Sequence, residues 1–271
     1  MKKKLAILAA AFIGTASIVA TSAHAAPLAV TVAGVTNATT ATAPQTVAVP
    51  TSNVIDNTNS VALAATGDTG TVVTFTASGV KLVPALNSAS APVNSASGTT
   101  SYSATSQGSA ITLYAFTTST NVGTVTIVNG SYSTVVYIQG TAGVAANVAV
   151  TVPSSVAVGT APQIKVSASD VFGNPVASET ISVTLVGGTF SDGTTVKNLV
   201  TATKAAALAD TTGATVWGSA TGTLSAVTAG SVTVVASDAS IVATSTGLPV
   251  AVKSASGTFV VSDLNATITA L

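Results

Sequence analysis

The 271-residue chain has no cysteine and no arginine, one histidine, and charged side chains at only 6% of its positions. Without cysteine there is no disulfide framework, no thiol nucleophile, no zinc–thiolate centre and no lipid-modified Cys. With no arginine, and eight lysines offset by seven aspartates and one glutamate, there is no basic footprint for nucleic acid. A soluble domain carries roughly 25% charged residues, so this surface must be built from Ser, Thr, Asn and Gly. Aromatic residues make up only 4% of the chain, which leaves any core mainly to Val, Ile, Leu and Ala.

What is present begins with a targeting pattern. Lys2, Lys3 and Lys4 form a positive start, Leu5 to Ala20 is an apolar run, and Ala23-His24-Ala25 fits the small-x-small cleavage rule. That order and length predict a secretory signal peptide cut after Ala25. An apolar run of 16 residues is short for a membrane span, and nothing after it approaches 18. Cleavage leaves 246 residues with five Lys against eight acids, and without His, Arg, Cys or Met. A chain of that composition cannot build a Ser-His-Asp triad, a Cys-His pair or a His-ligated metal site. Carboxylates, Lys, Tyr and hydroxyls remain for catalysis, and the acids are scattered singly. No catalytic residue, cofactor site or metal site is assigned, and the protein is read as a non-enzyme.

The rest of the chain is short alternating segments separated by Gly, Ser, Asn, Asp and Pro. Val148, Val150 and Val152, then Ile181, Val183 and Leu185, then Val232 and Val234, each alternate with Thr, Ser or Ala. Period two with β-branched enrichment is the signal of a half-buried strand. Asn129-Gly130, between Thr124–Val128 and Ser131–Ile138, predicts a hairpin closed by a type I′ turn on those two residues. It sets Val125 and Ile127 on the face of Tyr132, Thr134 and Val136.

The spacing predicts an all-β chain of two tandem β-sandwiches. The expected divisions are 1–25 signal peptide, 26–145 first sandwich, 146–253 second sandwich, and 254–271 linker. Val261, Leu264, Ile268 and Leu271 repeat at 3, 4 and 3 with Ser262 or Asp263 as a cap, which predicts a short helix or coiled-coil start.

The stretch Val166 to Gly188 reads VSASDVFGNPVASETISVTLVGG. Asp170 ends a strand, Gly173, Asn174 and Pro175 form a tight turn, and Val176 re-enters. Asp210-Thr211-Thr212-Gly213 and Gly230-Ser231-Val232 follow before later strands. This order resembles the bacterial immunoglobulin-like repeats of the invasin and intimin type, over about 147–250. The resemblance implies extracellular modules strung on a cell surface, and no catalytic residues. On the physics alone, Gly173 permits the turn, Pro175 fixes φ, and the Asp170 carboxylate accepts turn N–H groups.

Other residues are candidate sites. Asp170, Asp192 and Asp210 fall in turns, where capping competes with calcium binding. Lys165 and Glu179 would suit a cross-link to an amide or acid, but alternation sends Lys165 outward. Trp217, with Tyr102, Tyr114, Tyr132 and Tyr137, could stack on a sugar, although a lone Trp commonly anchors a core. The sequons at Asn37, Asn129 and Asn265 are weak signals, and Asn129 is better explained by its turn. The expectation is a secreted, surface-associated structural or adhesive protein, a spacer, stalk or envelope-layer subunit. Its partners would be envelope polymers, glycans or like subunits; the alternative is a carbohydrate-binding module.

Overall fold

The computed structural model describes residues 28–52, 54–86, 98–226, 228–244 and 247–263. The leader, its cleavage point at Ala25, the heptad positions Leu264, Ile268 and Leu271, and Asn265 all lie outside the described residues.

Ten strands make the first sandwich: β1 (Ala29–Val32), β2 (Val35–Thr36), β3 (Gln45–Ala48), β4 (Val61–Thr66), β5 (Val72–Ser78), β6 (Lys81–Val83), β7 (Ser101–Thr105), β8 (Ile111–Phe116), β9 (Val122–Asn129) and β10 (Tyr132–Thr141). One sheet runs β2-β1-β4-β8-β6 and the other β3-β10-β9-β5-β7. The alternation sends Leu63, Phe75, Leu113, Ile127 and Ile138 into the space between them, where each is almost fully buried. Outward positions are hydroxyls, and neighbouring strands join them directly, as Thr74 does with Ser103 at 3.0 Å.

Nine strands make the second: β11 (Asn147–Thr151), β12 (Ser155–Ala157), β13 (Gln163–Ser169), β14 (Thr180–Val186), β15 (Thr189–Phe190), β16 (Val196–Val200), β17 (Ser219–Ser225), β18 (Gly230–Ser237) and β19 (Ser254–Ser262). Its sheets run β11-β13-β17-β15 and β12-β19-β18-β14-β16. Ile164, Val166, Ile181, Val183, Phe190, Val234 and Phe259 fill the core.

The two topologies are the same. With β2 set aside, the nine remaining strands of the first sandwich map in order onto the nine of the second, and the sheet orders coincide. In both, a short strand pairs parallel with the last one, β3 with β10 and β12 with β19, and the other strand pairs are antiparallel. This is a tandem pair of immunoglobulin-like β-sandwiches.

Three local expectations are corrected. The hairpin turn falls on Gly130-Ser131, not Asn129-Gly130, because Tyr132 pairs with Asn129 and Thr134 with Ile127. Gly130 has φ +59° and neither neighbour is positive, which fits a type II′ loop rather than I′. The register moves by two residues, so the inward face is unchanged. Asn129 is a buried strand residue instead, and its side chain fills the space that a Cβ at Gly67 would need.

Residues 254–262 are not linker. They form β19, in which Phe259 and Val261 are inward at period two. Val261 pairs with Val156 on one side and Gly230 on the other, so the first position of the 3-4-3 pattern belongs to a strand. Among the described residues the helix is α1 (Lys204–Ala209), capped by Thr203 Oγ1 accepting from the Ala206 amide at 3.1 Å. It buries no side chain, so it leaves no apolar stripe in the sequence.

Candidate functional site at the joint between the sandwiches

The turn after β13 is built around a buried carboxylate. Asp170 is 1% exposed. Its Oδ1 accepts from the Phe172 and Asn174 amides, both at 2.9 Å. Its Oδ2 accepts from the Gly143 amide at 3.1 Å and from Asn174 Nδ2 at 2.9 Å. Asn147 Nδ2 donates to the Asp170 carbonyl at 2.9 Å. Four donors on one buried carboxylate offset its desolvation. The carboxylate thereby fastens the turn to Gly143, in the connection between the sandwiches.

Asn174 extends this network across the joint. It is buried, and its Oδ1 accepts from the Thr120 amide at 3.1 Å while Nδ2 donates to the Thr118 carbonyl at 2.8 Å. Thr118 and Thr120 lie in the β8–β9 loop of the first sandwich. Gly173, with φ +85°, supplies the backbone conformation that turns Asn174 back toward them. Pro175 meets Ser169 in a bridge and packs under Gly218, where a Cβ would lie 2.6 Å from the proline Cβ.

An apolar cluster seals the same joint. Ile55, Val83 and Phe116 of the first sandwich are each 1% exposed, apart from that sandwich's main core. Leu86 and Tyr114 from the same side, and Phe172 and Leu248 from the second sandwich, pack against them. Phe172 sits at the tip of the Asp170–Asn174 turn, so one turn supplies both the hydrogen bonds and the ring. Beside it is a cleft of about 200 Å³ lined by Pro50, Val144, Asp170, Val242 and Leu248. That is below the roughly 300–1,000 Å³ of ordinary ligand pockets.

The other singled-out residues lie apart from the joint. Asp192 Oδ1 accepts from the Thr194 amide and hydroxyl, and its Oδ2 from Lys197 Nζ at 2.8 Å. Asp210 accepts from Thr212 and Thr215 after α1. These hydrogen bonds hold both carboxyls well below the usual range, led by Lys197 for Asp192 and Thr212 for Asp210. The three turn aspartates thus serve separate turns. Among the described residues no three His, Cys or acidic side chains gather as metal ligands, and no helix is long and apolar enough to cross a membrane.

Trp217 is half-buried beside α1, and Lys204 Nζ stands 5.2 Å from its ring centroid. A cation already covers one stacking face. Tyr102 packs edge-on to Phe75, Tyr114 belongs to the joint, and Tyr132 is 40% exposed. The rings do not converge on one platform. Lys165 is a half-buried residue of β13 opposite Thr151 and Thr221. The Asn37 amide donates to the Val135 carbonyl at 3.0 Å, which ties β10 to the segment after β2.

Reading the sequence placed Asp170, Gly173, Asn174 and Pro175 in a turn but missed the reach of Asn174 and the role of Phe172. An apolar ring at a turn tip was the available signal, since a solvated turn has no use for one.

No protein-family model and no curated protein matches the sequence. Among solved structures the chain is similar to invasin, a bacterial integrin-binding protein, at 14% identity over 88% of this chain, with a TM-score of 0.34. The chain spans 40% of the invasin structure. It is similar to the Escherichia coli adhesin FdeC at 16% identity, covering 87% of this chain and 63% of that one, TM-score 0.38. The D00-D0 domain of intimin aligns at 13% identity, covering 87% of this chain and all of that one, TM-score 0.35.

Proposed function

We propose that this protein is a secreted bacterial surface component with a structural or adhesive task, a spacer, stalk or envelope-layer subunit, and not an enzyme. The observation that carries the reading is the joint. Two sandwiches on a flexible tether would need no buried amide shared between them and no apolar seal. A chain that must hold a fixed reach from a surface needs both. Buried hydrogen bonds set the angle, and the Phe116–Phe172 cluster resists bending.

The surface supports the same reading. The outward positions of β5, β9, β14 and β18 are mainly Thr, Ser and Val. Few charges repel a neighbour there, which favours association with envelope polymers, glycans or like subunits. The Lys204 cover on Trp217 weighs against sugar stacking as the principal task.

The test is surface exposure in the native cell. Intact cells are treated with protease, fractionated, and probed with antibody to the chain. Protein found with the envelope and removed from intact cells supports the proposal. Protein confined to the cytoplasm and protected until lysis overturns it.

A further inference from the structure

At the joint-facing end of the second sandwich, one buried carboxylate is left incomplete. Asp238 follows β18 and is 3% exposed. Its Oδ1 accepts from the Ser240 amide at 2.8 Å and the Ser240 hydroxyl at 2.6 Å. Its Oδ2 is buried and receives no donor from the described residues. A buried polar oxygen without a partner calls for a water or an ion.

A second carboxylate faces it. The β14–β18 register pairs Ser182 with Ser237. That pair ends the ladder, so Glu179, three residues before Ser182, and Asp238, one residue after Ser237, come to the same end of the sheet. Glu179, the only Glu in the chain, is half-buried. Its backbone is pinned by Thr201, whose hydroxyl accepts the Glu179 amide and whose amide donates to the Glu179 carbonyl, both at 2.9 Å. Its carboxylate takes no hydrogen bond from the described residues. Burial, and then the charge of Asp238, push the Glu179 carboxyl up.

Among the described residues no cation pairs with either acid. Lys253, whose carbonyl accepts the Asp238 amide at 3.0 Å, is exposed and forms no ion pair with either acid. Asp170, the other buried acid at this end, is consumed by its four donors.

We propose that Glu179 and Asp238 hold a calcium ion at the joint-facing rim of the second sandwich. Calcium accepts several oxygen ligands in loose geometry and keeps water where protein oxygens run out. Asp238 Oδ2 and the Glu179 carboxylate supply the charge, and water completes the shell. Two carboxylates place the site in the range of about 10⁻⁴–10⁻³ M found in extracellular modules. The inference does not depend on the surface role proposed above.

The test is thermal unfolding of the full chain at pH 7.5 with calcium chloride, at constant ionic strength, using magnesium chloride as control. Calcium at about 10 mM is expected to raise Tm by several degrees, with half the effect near 1 mM and little response to magnesium. Asp238→Asn keeps the Ser240 bonds and should lose the calcium response. Glu179→Gln should shift the midpoint about tenfold higher. No shift up to about 20 mM, or a wild-type response in either variant, overturns the proposal. Should Asp238→Asn fail to fold, Glu179→Gln alone decides it.

Discussion

The side chain of Asn174 stands between the Thr120 amide at 3.1 Å and the Thr118 carbonyl at 2.8 Å, joining loops 54 and 56 residues apart. Both groups belong to the neighbouring sandwich, so a turn of the second completes the hydrogen bonding of the first. Replacing Asn174 with Ala removes the side-chain partners of the Thr120 amide and the Thr118 carbonyl and one of the two donors to Asp170 Oδ2. The expected cost is about 2 kcal/mol by urea unfolding. Asn174→Asp should be worse at pH 7, because it sets a second carboxylate against Asp170. Equal stability of Asn174→Ala and wild type would remove the latch.

The apolar seal makes a graded prediction. Phe116 is almost fully buried and Phe172 only partly. Phe116→Ala should cost about 3–5 kcal/mol, the range for emptying a buried ring site. Phe172→Ala should cost about half as much, since less surface leaves water. It should also leave the first sandwich's main core, around Phe75 and Leu113, unchanged in amide exchange.

Gly218 tests the seat of the latch. It has φ +70°, and its Cα lies against Pro175. Gly218→Ala adds a methyl group where the proline stands and a side chain to a left-handed backbone. A loss of about 2 kcal/mol or more is expected from strain and displacement together. A neutral result would show that the turn can move without cost.

Acidity should act in two opposite steps, read in calcium-free buffer. Folding raises Glu179 above its ordinary value of 4.5, chiefly by burial and secondly through Asp238. A raised acid binds its proton more tightly when folded, so stability climbs as pH falls from neutrality through the raised value, and the gain is complete below 4.5. Asp56, Asp192 and Asp210 are instead held below 3.8 by hydrogen bonds from Thr58, Lys197 and Thr212 first. Their contribution is present above 3.8 and is lost as pH falls through their folded values. A Tm profile should therefore rise toward about pH 4.5 and fall below about 3.8. Glu179→Gln should flatten the upper limb and leave the lower one. An unchanged upper limb would contradict the assignment.

The strands were legible because alternation is a local property. Val148, Ile181 and Val232 announced their faces without knowledge of partners, and the burial pattern follows them. The hairpin register was misplaced by two residues because Asn-Gly favours a turn, while tertiary packing recruits Asn129 into the space beside Gly67. At the C-terminal end, Phe259 and Val261 already carried period two, but the 3-4-3 spacing that starts at Val261 masked it. The joint was illegible for a different reason. Thr118 and Thr120 contribute backbone groups, which every residue possesses, so no side-chain signal marks them as the partners of Asn174.

The central claim is that the latch and the seal hold the two sandwiches in one fixed relation. Since the chain has no cysteine, a pair of spin labels can be placed without background at Ser133→Cys and Ser256→Cys, exposed positions on opposite sandwiches. Pulsed dipolar spectroscopy then reads the distance between them. A single narrow distribution that broadens in Asn174→Ala is the predicted result. A broad distribution in the otherwise unaltered chain would mean that the sandwiches swing freely, and the account of the joint would fail.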